Sequence, residues 1–571
     1  MERRLLIAIL LSVVVLYGFQ ALLKPKPNGS AGQTTTTAPD VAAPPQTPAT
    51  QASTASPSTA TPAAPAAAPL VADTAEREIR VETRDVIAVF TNRGARLKSW
   101  RLKHYFDQNG QPQELIDPLP NQPLPFSLRT PSESTTAIIN NALYSAPAQP
   151  DGTTNASIDL KFEYRDSSGL ASVKEFHIEP ASYLMTFRGA VTHNSSAVPT
   201  TIQWGPAVGD AATSNSYAQK PGGLLADAAR IQRLGATKEI AKQSSYEGDF
   251  KYAGVDDNYF MSIALAPGPV NIAYQPVSIP GPGPKDPPRE LVAYSITPQK
   301  PDTPIKFFVG PKDFDVLAQL GPDMTKAINF GIFSVIVVPL LRSLKWVNTY
   351  VGNYGWSIVV LTVIIQIILF PLQHKSIVSM RKMQEIQPQM KAIQDRYAKY
   401  KATDPEKQNM NKEVMALYRE KGVNPASGCV PIVLTMPLLL AMWAMLQTSI
   451  ELRGAPFLWI RDLTLRDPFY VTPVLMGLTQ FWQQKITPAT GADPAQQKMM
   501  MVMPVVMTVM FITLPAGALV YYTVSNLLRI GQQYLTNSII GPPNVRAVRP
   551  PAERRVKRVG GGKTDAATNK S

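Results

Sequence analysis

Five apolar stretches crowd the C-terminal part of the chain, at Trp356–Leu372, Val430–Thr448, Phe469–Trp482, Met499–Leu514 and Pro515–Gln532. They constrain the fold more than any other feature, because runs of this length bury themselves in lipid or against one another. A sixth, LLIAILLSVVVLYGFQALL at Leu5–Leu23, holds nineteen residues without a charge. No small-residue cleavage site follows it, so it is expected to remain as an anchor rather than leave as a signal peptide. Only helices and closed barrels satisfy their backbone groups in lipid. The expected class is therefore a polytopic α-helical membrane protein with about six transmembrane helices. Several C-terminal stretches hold only about 16–18 residues, the lower limit for a bilayer of ordinary thickness.

Between the first stretch and the rest, the composition changes twice. Lys24 to Leu70 is Pro, Ala, Thr and Ser with no aromatic residue, which reads as a disordered linker over 24–70. From Glu78 onward, runs such as SIDLKFEYRD, YLMTFRGAVTH and PIKFFVG alternate with period two between Pro, Gly and Asn breaks. Residues 71–320 are thus expected to form a large all-β sandwich domain. Met324–Gly352 is apolar but interrupted by Pro339, Arg342, Lys345 and Trp346, which suits an interfacial amphipathic helix. The single cysteine, Cys429, excludes an internal disulfide.

Charge orients these parts. The loop from His374 to Gly428 carries eleven Lys or Arg against six Asp or Glu, and the tail after Ile540 carries eight against two. The Glu451–Asp467 loop balances three against three. Both basic segments belong in the cytoplasm by the positive-inside rule, which places both termini inside and the β domain in a periplasm. The tail 541–571 is Pro- and Gly-rich without a core, and its charge suits rRNA phosphates or anionic lipid heads. Within the basic loop, Met383, Ile386, Met390, Ile393, Tyr397 and Tyr400 follow coiled-coil spacing, answered by Met410, Val414 and Leu417. A cytoplasmic helical hairpin over 374–428 is expected, with a Met-rich seam able to adapt to apolar segments.

The last apolar stretch poses the functional question. In LVYYTVSNLLRIGQQY, Tyr522, Ser525, Asn526, Arg529 and Gln533 fall on one side of a helix. A charge at the centre of a membrane helix costs roughly 2.5–3.5 kcal/mol on the lenient insertion scale. Together with Thr362 and Gln366 on the second stretch and Thr435 on the third, the stripe is expected to line a polar groove. Polar side chains between helices also simply hold bundles together, which is the competing explanation for any single Thr or Ser.

Four segments carry a resemblance: NPASGCVPIVLTMPLLLAM, ELRGAPFLWIRDLTLRDPFYVTPVLMG, DPAQQKMMMVMPVVMTVMF and LPAGALVYYTVSNLLRIGQQ. In order and spacing they resemble the YidC family of membrane protein insertases, in the Gram-negative form with a periplasmic domain. The resemblance implies a helical core at 356–540 around a polar groove open to the cytoplasm and the lipid. It implies nascent membrane proteins as substrates, the Sec translocon and the translating ribosome as partners, and no cofactor or metal. It also implies a β-supersandwich periplasmic domain with a carbohydrate-enzyme-like fold. His104, His177 and His193 lie in that domain with no motif grouping them.

One position departs from the family. Its members commonly carry an arginine in the second span, where this chain has Gln366 in TVIIQIILFPL. Arg529 is expected to supply the groove charge from another wall; snorkelling to the inner headgroups is the plain alternative. Rival classes fit less well. The stretches show no paired interruptions of the kind found in transporters with inverted repeats, and none of the five holds Asp, Glu or His. The tail's GGGKT lacks the first glycine and the preceding strand of a phosphate loop.

Overall fold

The structure, a computed structural model, describes residues 68–541 apart from 108, 117, 150–151, 207–218, 237, 282–287, 401–403, 425–429 and 488–493. The expected anchor at 1–23, nearly all of the linker and the tail beyond 541 lie outside the described residues.

Alternation along the strands builds the β domain. Leu170–Ile178 buries every second residue, and Ile158–Asp166 beside it does the same with charged residues facing out. A five-stranded sheet runs in the order Pro112–Glu114, Arg96–Phe106, Val86–Thr91, Glu78–Thr83, Thr153–Thr154. A thirteen-stranded sheet branches at Phe260–Ile279, whose first part pairs with Ile305–Pro311 and whose second part pairs with Arg289–Pro298. Inner faces meet through aromatic rings: Phe90 of the small sheet lies 4.8 Å from Phe176 of the large one. Trp100 Nε1 donates across the sheets to the Val309 carbonyl at 2.9 Å. This is the sandwich expected, extended at one end by the short helix Phe314–Leu320.

Among the described residues seven helices follow: α1 (Ser334–Val351), α2 (Tyr354–Arg396), α3 (Pro405–Glu420), α4 (Val430–Thr448), α5 (Val471–Ile486), α6 (Pro494–Phe511) and α7 (Ala516–Ile540). α7 packs between α2 and α5, α6 packs on α5, and α1 packs on α2 and α4. By length and hydropathy, Gly331–Val351 and Tyr354–Arg396 are sufficient to cross a membrane, and Met436–Thr448 and Met501–Thr513 are shorter apolar helices.

Two boundaries differ from the sequence reading. The amphipathic segment starts late: 3-10 turns at Met324–Ala327 and Gly331–Phe333 precede α1, and Gly331 takes φ 63°, a left-handed value that breaks a helix. The second span does not stop at Leu372. α2 runs unbroken for 43 residues through Pro371 and Pro388 into the first arm of the hairpin. A proline removes one helical donor. Next to Pro371, α7 also touches the α2 backbone, where Gln532 donates to the Phe370 carbonyl at 3.3 Å.

The β domain is fastened to the helices by a polar joint. Lys345 on α1 reaches Asp315 at 2.6 Å, Glu451 at 3.2 Å and Asp313 at 3.6 Å. Arg453 donates to the Phe106 carbonyl at 2.7 Å and to Gln113 Oε1 at 2.6 Å. Asn258 donates to the Gln447 carbonyl in the last turn of α4 at 3.0 Å. Burial pushes the Glu451 carboxyl above its usual range, and the Asp313 charge adds to the shift while Lys345 opposes it.

Candidate functional site in the α2–α7–α5 wall

The polar stripe of the last stretch lies on α7, which is held at its start by backbone bonds. Ala516 N–H donates to the Leu465 carbonyl at 2.7 Å, and Gly517 N–H to the Leu463 carbonyl at 2.9 Å. These bonds satisfy donors that a helix start otherwise leaves open. From there the stripe divides between two neighbours. Asn526 Nδ2 donates to Thr479 Oγ1 of α5 at 3.3 Å, while Gln532 and Thr536 reach α2 at the Phe370 carbonyl and His374 Nδ1.

Arg529 falls between those two directions, one turn from each, at 100° per residue. Its side chain is half-buried, and its Nε is buried with no hydrogen-bond partner among the described residues. Ser525 and Asn526 beside it are buried. Tyr522 sits one turn further out, its ring 5.6 Å from Phe511 within an apolar cluster that includes Met476, Leu514 and Leu519. A desolvated Nε donor without a partner costs free energy, so this atom favours an acceptor that reaches it.

On α2, Gln366 accepts from Gln373 Nε2 at 2.9 Å, and both amides are buried. Thr362 is fully buried, and its hydroxyl donates to the Ile358 carbonyl of its own helix at 2.6 Å. It therefore packs the helix wall and offers no free donor to a groove. Thr435 belongs to α4, but its side chain lies outside the described residues.

The sequence reading missed the inner half of this wall. Gln373, His374, Arg381, Gln532, Thr536 and Asn537 continue the polar contacts toward the hairpin. Gln532, Thr536 and Asn537 stand three and four residues beyond Arg529 and its neighbours. The signal was the same helical period carried past the apolar boundary.

The hairpin seam closes on itself. Met383, Ile386, Met390 and Ile393 are 4–8% exposed and pack with Leu417, Tyr418 and Val423. Tyr418 OH donates to Met390 Sδ at 3.0 Å. The seam meets its own second arm, so any docking through these residues needs the arms to part. In the β domain, His104 and His177 pair with Asp85 at 3.0 Å and Asp159 at 2.7 Å on the exposed surface.

Comparison with known proteins bears on the whole chain. A family model described as 60Kd inner membrane protein matches residues 346–542, and one described as YidC periplasmic domain matches residues 78–343. The membrane protein insertase YidC of Syntrophus aciditrophicus is 34% identical over 563 residues, covering 94% of this chain and 99% of the relative. Its counterpart in Geobacter sulfurreducens is 35% identical over 551 residues, covering 95% and 99%. The crystal structure of an active YidC insertase with its first transmembrane domain resolved matches at 19% identity and TM-score 0.34, covering 82% of this chain and 95% of that one.

Proposed function

We propose a route for insertion from one premise: the chain belongs to the YidC family of membrane protein insertases. It is a bacterial inner-membrane protein with a periplasmic domain, and it acts on nascent membrane proteins. The route runs along the polar wall of α2, α7 and α5. A substrate helix partitions into lipid readily, but its polar flank must cross, and each unsatisfied backbone group in lipid costs several kcal/mol. Gln366, Ser525, Asn526 and Arg529 offer that flank hydrogen-bonding partners part of the way through.

Arg529 is the groove charge in this reading, taking the place of the arginine that the second span lacks at Gln366. The unpartnered Arg529 Nε is the observation that carries it. Depth agrees. At 1.5 Å per residue, Gln366 lies about 9 Å from Leu372 and Arg529 about 8 Å from Tyr534, the expected inner ends of the two spans. The guanidinium favours acidic flanks, and Gln366 acts as a neutral neighbour. Tyr522 completes the lining further out. Thr362 supports the α2 wall from behind.

The rest of the topology follows from charge. Six crossings leave both termini in the cytoplasm, with α1 lying in the outer interface and the hairpin facing arriving chains. The Met-rich seam at Met383, Ile386, Met390 and Ile393 receives apolar segments when its arms part. The basic tail after Gly541 contacts rRNA of the translating ribosome, and the insertase works alone or beside the Sec translocon. A photocrosslinker on α7 tests the route. At Ser525 it captures a stalled nascent chain, whereas at Leu527, 50% exposed on the opposite side, it captures mainly lipid. Equal capture at both positions would overturn the groove.

A further inference from the structure

Three side-chain links stitch the inner end of α7 to α2, and the last of them involves a charge that the groove does not use. Gln532 reaches the Phe370 carbonyl, Thr536 meets His374, and Arg381 donates to both Asn537 Oδ1 and the Gly541 carbonyl. Arg381 is only 7% exposed. It stands where α2 becomes the first arm of the hairpin, and Gly541 is the residue that ends α7.

We propose that Arg381 is a positioning residue: a clamp that holds the end of the last helix to the root of the hairpin and so fixes where Arg529 points. A helix end leaves carbonyls without donors, and a cation there also complements the negative end of the helix dipole. The guanidinium supplies both, with two N–H groups in a planar fork that an ammonium does not reproduce. Asn537 is braced a second time by Gln533 Nε2 at 3.1 Å, so the acceptor is itself oriented.

The clamp sits at the right distance to matter. Asn537 lies eight residues, about 12 Å, beyond Arg529 on the same helix. At its other end α7 is fixed by the backbone bonds of Ala516 and Gly517. Fastened at both ends, the helix has neither rotation nor slide available, and a side chain between two neighbouring helices keeps its direction. Releasing one end frees both motions. Because α2 is one continuous helix through the hairpin root, the same clamp passes movements of the hairpin to α7 and to Arg529. This consequence for insertion rests on the groove reading; the clamp itself does not.

Hydrogen exchange in nanodiscs tests the clamp directly. In Arg381→Ala, the amides of Gln533–Gly541 are expected to exchange about tenfold faster, while those of Leu519–Tyr521 are unchanged. Arg381→Lys, which keeps the charge without the fork, is expected to fall between. Asn537→Ala, which leaves the Gly541 carbonyl as acceptor, serves should Arg381→Ala accumulate poorly, and gives a smaller increase over the same residues. Unchanged exchange at Gln533–Gly541 in both Arg381→Ala and Asn537→Ala overturns the proposal. The insertion readout uses matched substrates with acidic or neutral translocated segments. Arg381→Ala is expected to lower insertion of the acidic substrate selectively, a split that general loss of stability does not produce. Equal loss for both substrates overturns the positioning role. Should Arg529→Ala leave acidic substrates unaffected, the groove reading fails, and the exchange result still decides the clamp.

Discussion

Gly477 shows what a single missing side chain does. A Cβ at this position would sit 2.0 Å from Thr508 Oγ1, so the glycine sets how closely α5 and α6 approach. Small residues at helix contacts allow dispersion attraction to act where lipid removes the hydrophobic one. Thr508 cannot simply turn away without losing its bond to the Pro504 carbonyl at 2.7 Å. Gly477→Ala is expected to destabilise the bundle by about 1–3 kcal/mol, the usual cost of overpacking. Adding Thr508→Ala should recover much of it, as read by thermal unfolding in detergent. Glu451 makes a second residue-scale case, with a pH sign. Its carboxyl is raised above 4.5 by burial and by Asp313, against Lys345. The protonated form is thus favoured in the folded joint, so its contribution is full below the usual carboxylate value and is lost as pH rises through the raised one. Relative to Glu451→Gln, the native chain should lose thermal stability as pH rises above the usual carboxylate range. A pH-independent difference between the two would contradict this. Residues of this kind are hard to read in a sequence, because neither Gly477 nor Glu451 belongs to a period. Arg529 was legible because its neighbours at three- and four-residue spacing were polar too.

At the scale of elements, the hairpin was the clearest signal and its root the faintest. Spacing of Met383, Ile386, Met390 and Ile393 specified a two-helix seam, and these residues do pack against the second arm. Asp404 caps that arm by accepting from Glu406 N–H at 3.0 Å, with Pro405 at its first position. Nothing in the local sequence announced that α2 would pass through Pro371. A proline argues for a break, yet α2 continues through it with α7 packed alongside. Met390→Asp places a charge in a side-chain position that is 4% exposed. Burying it unpaired costs several kcal/mol, so the seam is expected to part instead. Limited proteolysis should then cut within Pro405–Glu420 at least about tenfold faster than in the native chain, while the β domain stays resistant. Equal cutting would mean that the seam contributes no stability.

On the scale of the whole molecule, the β domain and the helical core are one mechanical unit through the joint at Lys345, Glu451, Arg453 and Asn258. Sequence patterning distinguished the two parts and was silent about their fastening, because the joint is assembled from segments far apart in the chain. Arg453→Ala removes two hydrogen bonds and a cation lying 5.2 Å over the Phe260 ring. Wider distance distributions between spin labels on the domain and on α1 are the expected result. The proposed route depends on the charge at Arg529 serving as the groove arginine. Insertion of paired substrates with acidic and neutral translocated segments, into proteoliposomes holding equal amounts of each variant, measures this most directly. Arg529→Ala is predicted to disable the acidic substrate and spare the neutral one, and Gln366→Arg added to it is predicted to restore most of the loss. A harmless Arg529→Ala, or a double variant with no recovery, would contradict it.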